Sequence, residues 1–182
     1  MFKATHALTS LTFSNGFVTS NVTTMNRMFQ ECWVKSLDVS MFDTSKVTDM
    51  GTMFGACAKL ESLDVSNFDT SNVTNMGWMF SQCLKLTALD LSNFNTSKVT
   101  SMSNMFSTNP ALTSLDLSSF DMSKVGNTGD MLKFGTDNKI EILKTPKNAP
   151  ANLPITTGST LYYNGEVVTS VPAGLSESRT YT

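Results

Sequence analysis

The chain has 182 residues, 40% of them hydrophobic and 15% charged, with a formal net charge of −2. That length suits one domain, and without a basic field the main electrostatic term for gripping phosphate backbones is missing, which argues against nucleic acid as a partner. No run of about 18 apolar residues occurs, so no segment reads as a membrane-inserted helix.

The N-terminal stretch MFKATHALTS lacks the long apolar region of a signal peptide. It leads almost directly into a repeat, because Leu8-Thr9-Ser10-Leu11 matches Leu112-Thr113-Ser114-Leu115. The chain is therefore expected to be a fragment or mature piece of a longer protein. The repeat is clearest in LDVSMFDTSKVTDM from Leu37 and LDVSNFDTSNVTNM from Leu63. It returns as LDLSNFNTSKVTSM from Leu89 and LDLSSFDMSKVGNT from Leu115, each copy starting 26 residues after the last. A fixed period in this range marks a stacked array. Turns begin near Leu8, Val34, Leu60, Leu86 and Leu112, and Ile140-Glu141-Ile142 reads as a degenerate sixth strand.

Within one turn, Leu63 and Val65 alternate with Asp64 and Ser66, a period of two that predicts a short strand with one buried face. Stacked on its copies, this strand would form a parallel sheet along the array. Asn67 to Asn72 supplies the Asp, Thr, Ser and Asn of a turn, and Val73 and Met76 point inward on a second extended segment. Met76, Met79, Phe80 and Cys83 then fall at spacings of 3, 1 and 3, which predicts about two helical turns. The expected fold class is a repeat solenoid, leucine-rich-repeat-like and α/β. Short parallel strands line one side, short helical or 3-10 turns the other, and a small β-rich cap closes the C-terminus.

The expected domains are the array over residues 1–143, about five turns, and the cap over 144–182. Pro146, Pro150 and Pro154 lie in TPKNAPANLP, which reads as an extended crossing segment. Leu161 to Val168 reads as a hairpin with Asn164-Gly165 at a type I′ turn, followed by a loop and one more strand before Thr182.

On the motif LDVSNFDTSNVTNMGWMFSQC, Leu63 to Cys83, the chain resembles the BspA-like bacterial surface leucine-rich repeat family, whose repeat is about 26 residues long. The resemblance covers most of residues 8–135, and Val171-Pro172-Ala173-Gly174-Leu175 resembles the segment that often follows such arrays. It implies a secreted or wall-attached protein of a host-associated bacterium, extracellular or on the cell surface. The implied role is adhesion to a host or neighbouring cell through a protein or glycan partner. The family carries no shared catalytic residues, and its motif fixes no binding residues.

The residues themselves offer two candidate partner-binding features. Asp38, Asp64, Asp90 and Asp116 form a column, one per turn, on the solvent side of the strand. Solvation or bonding to nearby Ser, Thr and backbone N–H groups would account for the column, and so would a surface that meets a basic partner. One Asp per strand is thin for Ca²⁺, which wants six to eight oxygens. Trp78 stands where the other copies carry the polar Arg27, Thr52 and Asn104, so it is expected to face water, either as a binding anchor or as an unremarkable lone exposed aromatic. A second column, Asp43, Asp69, Asn95 and Asp121, suits turn capping. The Met/Phe series reads as core. Cys32, Cys57 and Cys83 lack metal-ligand spacing and read as buried free thiols.

Catalysis has little support in the sequence. His6 is the only histidine, and no G-x-S-x-G motif occurs. Leu153-Pro154-Ile155-Thr156-Thr157-Gly158 fails as a sortase signal because Thr157 stands where Gly is required. The expected function is a non-enzymatic binding or adhesion module without metal or cofactor, the alternative being a structural spacer that presents another domain.

Overall fold

The computed structural model describes residues 2–14, 16–164 and 166–182. Its strands are β1 (Ser36–Leu37), β2 (Ser62–Leu63), β3 (Ser114–Asp116), β4 (Leu132–Gly135), β5 (Ile142–Lys144), β6 (Leu153–Thr157), β7 (Leu161–Tyr163), β8 (Glu166–Val168), β9 (Ser170–Val171) and β10 (Thr180–Tyr181). They form small separate sheets, in the orders β1-β2, β10-β5-β3, β4-β6-β9 and β7-β8. No helix is present among the described residues.

The α/β leucine-rich-repeat-like solenoid expected from the sequence is thereby overturned; the molecule is all-β. Where helical turns were predicted, alternate backbone N–H groups point to the next 26-residue unit instead of up their own chain. Met76 donates to Ser101 (2.9 Å), Trp78 to Ser103 (2.8 Å), Phe80 to Met105 (3.1 Å) and Gln82 to Ser107 (2.8 Å). The intervening Met79 and Ser81 close tight turns onto Met76 and Trp78, both at 3.2 Å. Left-handed backbone at Trp78 (φ 61°) and Gln82 (φ 58°) breaks any helix. Spacings of three and four bring side chains to one side in a run of tight turns as well as in a helix, so periodicity alone does not separate the two.

The units lie on one another in parallel register. Isolated bridges join Thr24 to Asp49, Asp49 to Asn75, Asn75 to Ser101 and Ser101 to Asn127, a ladder on the second extended segment. The strand side is less regular. β1 pairs with β2 in parallel (Ser36 with Ser62, Leu37 with Leu63), and β3 pairs with β5. No strand forms at Thr87–Asp90, so the continuous sheet expected there is interrupted. The units splay at that point: Thr113 N reaches Thr87 O at 3.4 Å, against 2.8 Å for Glu61 N to Lys35 O.

The expected sixth strand at Ile140–Ile142 is displaced by two residues. Asn138, fully buried, donates to the carbonyls of Asn109 and Leu112 (both 2.7 Å) and accepts from Ile140 N (2.9 Å). That tie moves the pairing on, so that Ser114 faces Ile142, Leu115 faces Leu143 and Asp116 faces Lys144. Leu143 is fully buried, whereas Ile142 is 43% exposed.

Apolar columns fill the interior. Phe29, Phe54, Phe80 and Phe106 stack with centroids 5.7, 5.7 and 6.1 Å apart and nearly parallel rings. Each such contact adds roughly 0.5–1.5 kcal/mol beyond burial. Met50, Met53, Met76, Met79, Met102 and Met105 are fully buried beside them, as the spacing predicted. Buried threonines tie unit to unit: Thr70 Oγ1 donates to Asn95 O (3.1 Å) and accepts from Asn95 N (2.8 Å). Thr44 and Thr96 repeat the arrangement with Asp69 and Asp121.

The tail folds back on this stack. β5 spans the position where the composition changes, and its other edge takes β10 antiparallel, Thr180 facing Lys144. β4 pairs with β6, and β6 with β9; neither β4 nor β6 was expected as a strand, although Leu132-Lys133-Phe134 alternates. β7 and β8 form the expected hairpin. Asn164 is left-handed (φ 53°), and Gly165, the other half of the expected type I′ turn, lies outside the described residues.

Candidate binding groove

On the strand side an open groove of about 900 Å³ runs across successive units. Its floor is the column Leu37, Leu63, Leu89 and Leu115. Ser36, Ser62, Ala88 and Ser114 stand along one side of that column and Asp38, Asp64, Asp90 and Asp116 along the other. The alternation that buries each Leu fixes this geometry, since residues on either side of it must point outward. The structure thus brings the four sequence-predicted aspartates together on one face, all of them exposed.

Each aspartate also closes a local turn. Oδ1 accepts the backbone N–H two residues on, from Ser40 to Asp38 (3.0 Å), Ser66 to Asp64 (2.9 Å), Ser92 to Asp90 (2.9 Å) and Ser118 to Asp116 (2.9 Å). Hydrogen bonds from the Ser66 backbone and hydroxyl hold Asp64 below the ordinary carboxylate value against the opposing charge of Asp38. Asp38 and Asp90 are lowered by the equivalent serines. At Asp116 burial pushes upward but is outweighed by hydrogen bonds from Lys144 and Ser118. All four carboxylates are therefore ionised at neutral pH.

The charges along the groove are unbalanced. Asp38, Glu61, Asp64, Asp90 and Asp116 line it with a single cation, Lys144. Lys144 Nζ reaches Asp116 Oδ2 at 2.7 Å, and Glu61 pairs with Lys35 at 3.3 Å. Among the described residues no cation lies within ion-pair distance of Asp38, Asp64 or Asp90. Lys144 was missed from the sequence, and Ile142 was read as the end of the sixth strand rather than its start, because the strand was placed two residues early; the signal was Ile142-Leu143-Lys144, which copies the outward–inward–outward order of Ser114-Leu115-Asp116.

Trp78 is 42% exposed but does not line the groove, so the two candidate features occupy different faces. Its column shares a backbone property: Arg27, Thr52, Trp78, Asn104 and Asp130 all have φ between 54° and 61°. Trp33, 40% exposed, is a further aromatic that sequence reasoning missed; His6 packs against it with ring centres 4.5 Å apart and planes tilted by 33°, and the Lys59 ammonium lies 5.8 Å from its ring centre. The second Asp/Asn column caps turns as expected, with Ser71 N donating to Asp69 Oδ1 at 2.9 Å. Asp43, Asn95 and Asp121 do the same.

The three cysteines are buried and unpaired. Cys57 Sγ donates to Phe29 O (3.1 Å) and Cys83 Sγ to Phe54 O (3.3 Å). Burial pushes the Cys57 thiol up, and that of Cys83 up to about 12. Asn109 continues the column, donating to Phe80 O (3.0 Å) and Phe106 O (2.8 Å) while its own Oδ1 accepts from Cys83 N (3.0 Å). Among the described residues no group of three His, Cys, Asp or Glu side chains is placed to hold a metal ion, and no helix is long and apolar enough to cross a membrane.

Stacked units, separate small sheets and an open groove edged by carboxylates define an all-β repeat protein. The chain belongs to the family described as "Mycoplasma protein of unknown function, DUF285", whose model matches residues 1–110 and, in a second overlapping match, 63–145. No curated protein and no solved structure matches it.

Proposed function

We propose that the protein is a non-enzymatic binding module of the BspA-like kind, displayed outside a bacterial cell and recognising a macromolecule on a host or neighbouring cell surface through the strand-side groove. The observation that carries this reading is the groove itself, in which three ionised aspartates face solvent without a cation. A rigid face with one repeated group per unit suits an extended partner better than a small compact one. A purely structural spacer is the second reading. It is favoured by the near-uniform outward column Ser36, Ser62, Ala88 and Ser114, since recognition surfaces differ from copy to copy.

A binding screen against extracellular-matrix proteins and glycans separates the two. The expected result is saturable binding to at least one of them, with Trp78→Ala a smaller loss than the double variant Asp64→Asn/Asp90→Asn. Flat responses across the panel would leave the spacer as the better account.

A further inference from the structure

We propose that the groove recognises primary ammonium groups, those of an extended lysine-rich protein segment, and that Lys144 is a built-in occupant which closes the column at its last position. This deepens the binding reading above and rests on it for the choice of face.

At Asp116 the chain itself shows how the column takes a cation. Asp116 divides its two oxygens: Oδ1 accepts the Ser118 backbone N–H, and Oδ2 accepts the Lys144 ammonium at 2.7 Å. Asp38, Asp64 and Asp90 have the same local turn on Oδ1. Their Oδ2 atoms are therefore presented as that of Asp116 is, without a lysine opposite. Lys144 is not an accidental neighbour, because the β3–β5 register sets it directly across from Asp116, in the place where the repeat would put the next Asp. The column thus reads Asp, Asp, Asp, Asp, Lys, and its final cation comes from the chain itself.

The divided carboxylate also selects between cations. A guanidinium gains most from two parallel bonds to both oxygens of one carboxylate. Here one oxygen is already engaged by backbone, which suits the single-point contact of an ammonium. Neighbouring units in register repeat at about 4.8 Å, while side chains on one face of an extended peptide repeat at about 6.8 Å. The flexible four-carbon stem of lysine absorbs that mismatch and lays its methylenes along apolar surface. Ala88 and Ile142, both exposed in the groove, offer that surface. The groove therefore provides both parts of a lysine site, an acidic row and an apolar bed.

An octalysine peptide and its Nε-acetylated counterpart test this by calorimetry at low ionic strength. Octalysine is expected to bind the wild-type chain and the acetylated peptide not to bind. Asp64→Asn/Asp90→Asn is expected to weaken octalysine about tenfold. Lys144→Gln is expected to strengthen it about threefold by freeing Asp116, and Lys124→Gln, an equal charge change at an exposed site off the groove, to leave it within experimental error. Circular dichroism establishes that each variant is folded. Unchanged affinity in the aspartate double variant overturns the proposal, as does an equal gain from Lys144→Gln and Lys124→Gln, which would mean that only net charge is felt. Failure here is separable from failure of the surface-binding reading. A matrix protein whose binding ignores Asp64 and Asp90 removes the lysine site alone, whereas octalysine binding beside a flat matrix screen removes the host-surface role alone.

Discussion

The strand face and the turn face each carry an outward column that recurs once per repeat, and these two columns vary in opposite ways. On the strand face the column is Asp38, Asp64, Asp90 and Asp116; on the turn face it is Arg27, Thr52, Trp78, Asn104 and Asp130. Read as sequence, the constant column suggests structure and the variable one suggests recognition. The fold gives both a backbone reason. Each strand-face Asp accepts a backbone N–H to make its turn, so it repeats, yet its charge remains in an open groove. Arg27, Thr52, Trp78 and Asn104 are left-handed where their backbone N–H groups donate to the next unit, and their side chains lie exposed or half-buried outside the core. Variability on the turn face is thus tolerance of a backbone site, and constancy on the strand face does not preclude binding.

The largest effect is expected beneath the turn face, where the stacking is held by buried polar groups. Asn109→Leu should destabilise the fold by about 4 kcal/mol, because it leaves Cys83 N, Phe80 O and Phe106 O unpaired in the core. Denaturant unfolding measures this; a loss below about 1 kcal/mol would mean that the column does not hold the units together. Thr70→Val keeps the shape and removes two bonds to Asn95, and should cost about 1.5 kcal/mol by the same assay.

On the turn face itself the expected sign reverses. Thr52 is β-branched and left-handed (φ 57°), so Thr52→Asn should stabilise by about 1 kcal/mol and raise the thermal midpoint. A destabilisation would show that Thr52 makes contacts outweighing its strain.

The smallest effect separates the faces by pH. Asp38, Asp64 and Asp90, with the turn caps Asp43 and Asp69, have folded values lowered chiefly by serine hydrogen bonds. A lowered folded value gives stability that is present above the unfolded value of about 3.9 and is lost as pH falls through the folded one. The denaturant midpoint should therefore be flat from neutrality to about pH 5 and fall below about pH 4. Asp64→Asn/Asp90→Asn should make that fall shallower; an unchanged slope would leave the strand-face carboxylates out of acid unfolding.

Much of this was legible in the chain. The 26-residue period, the inward Leu, Phe, Met and Cys positions, the caps at Asp43 and Asp69 and the outward Asp column all follow from alternation and turn chemistry, which act over a few residues. The helical turns did not follow, because whether a backbone N–H bonds along its own chain or across to the next unit depends on a neighbour 25 residues away. For the same reason the two-residue shift that sets Lys144 opposite Asp116 was hidden, being fixed by the buried amide of Asn138 reaching back to Asn109 and Leu112. Short-range chemistry determined which residues face in and which face out. Only the stacking decided which charges meet, since a carboxylate and an ammonium 28 residues apart become neighbours through register alone.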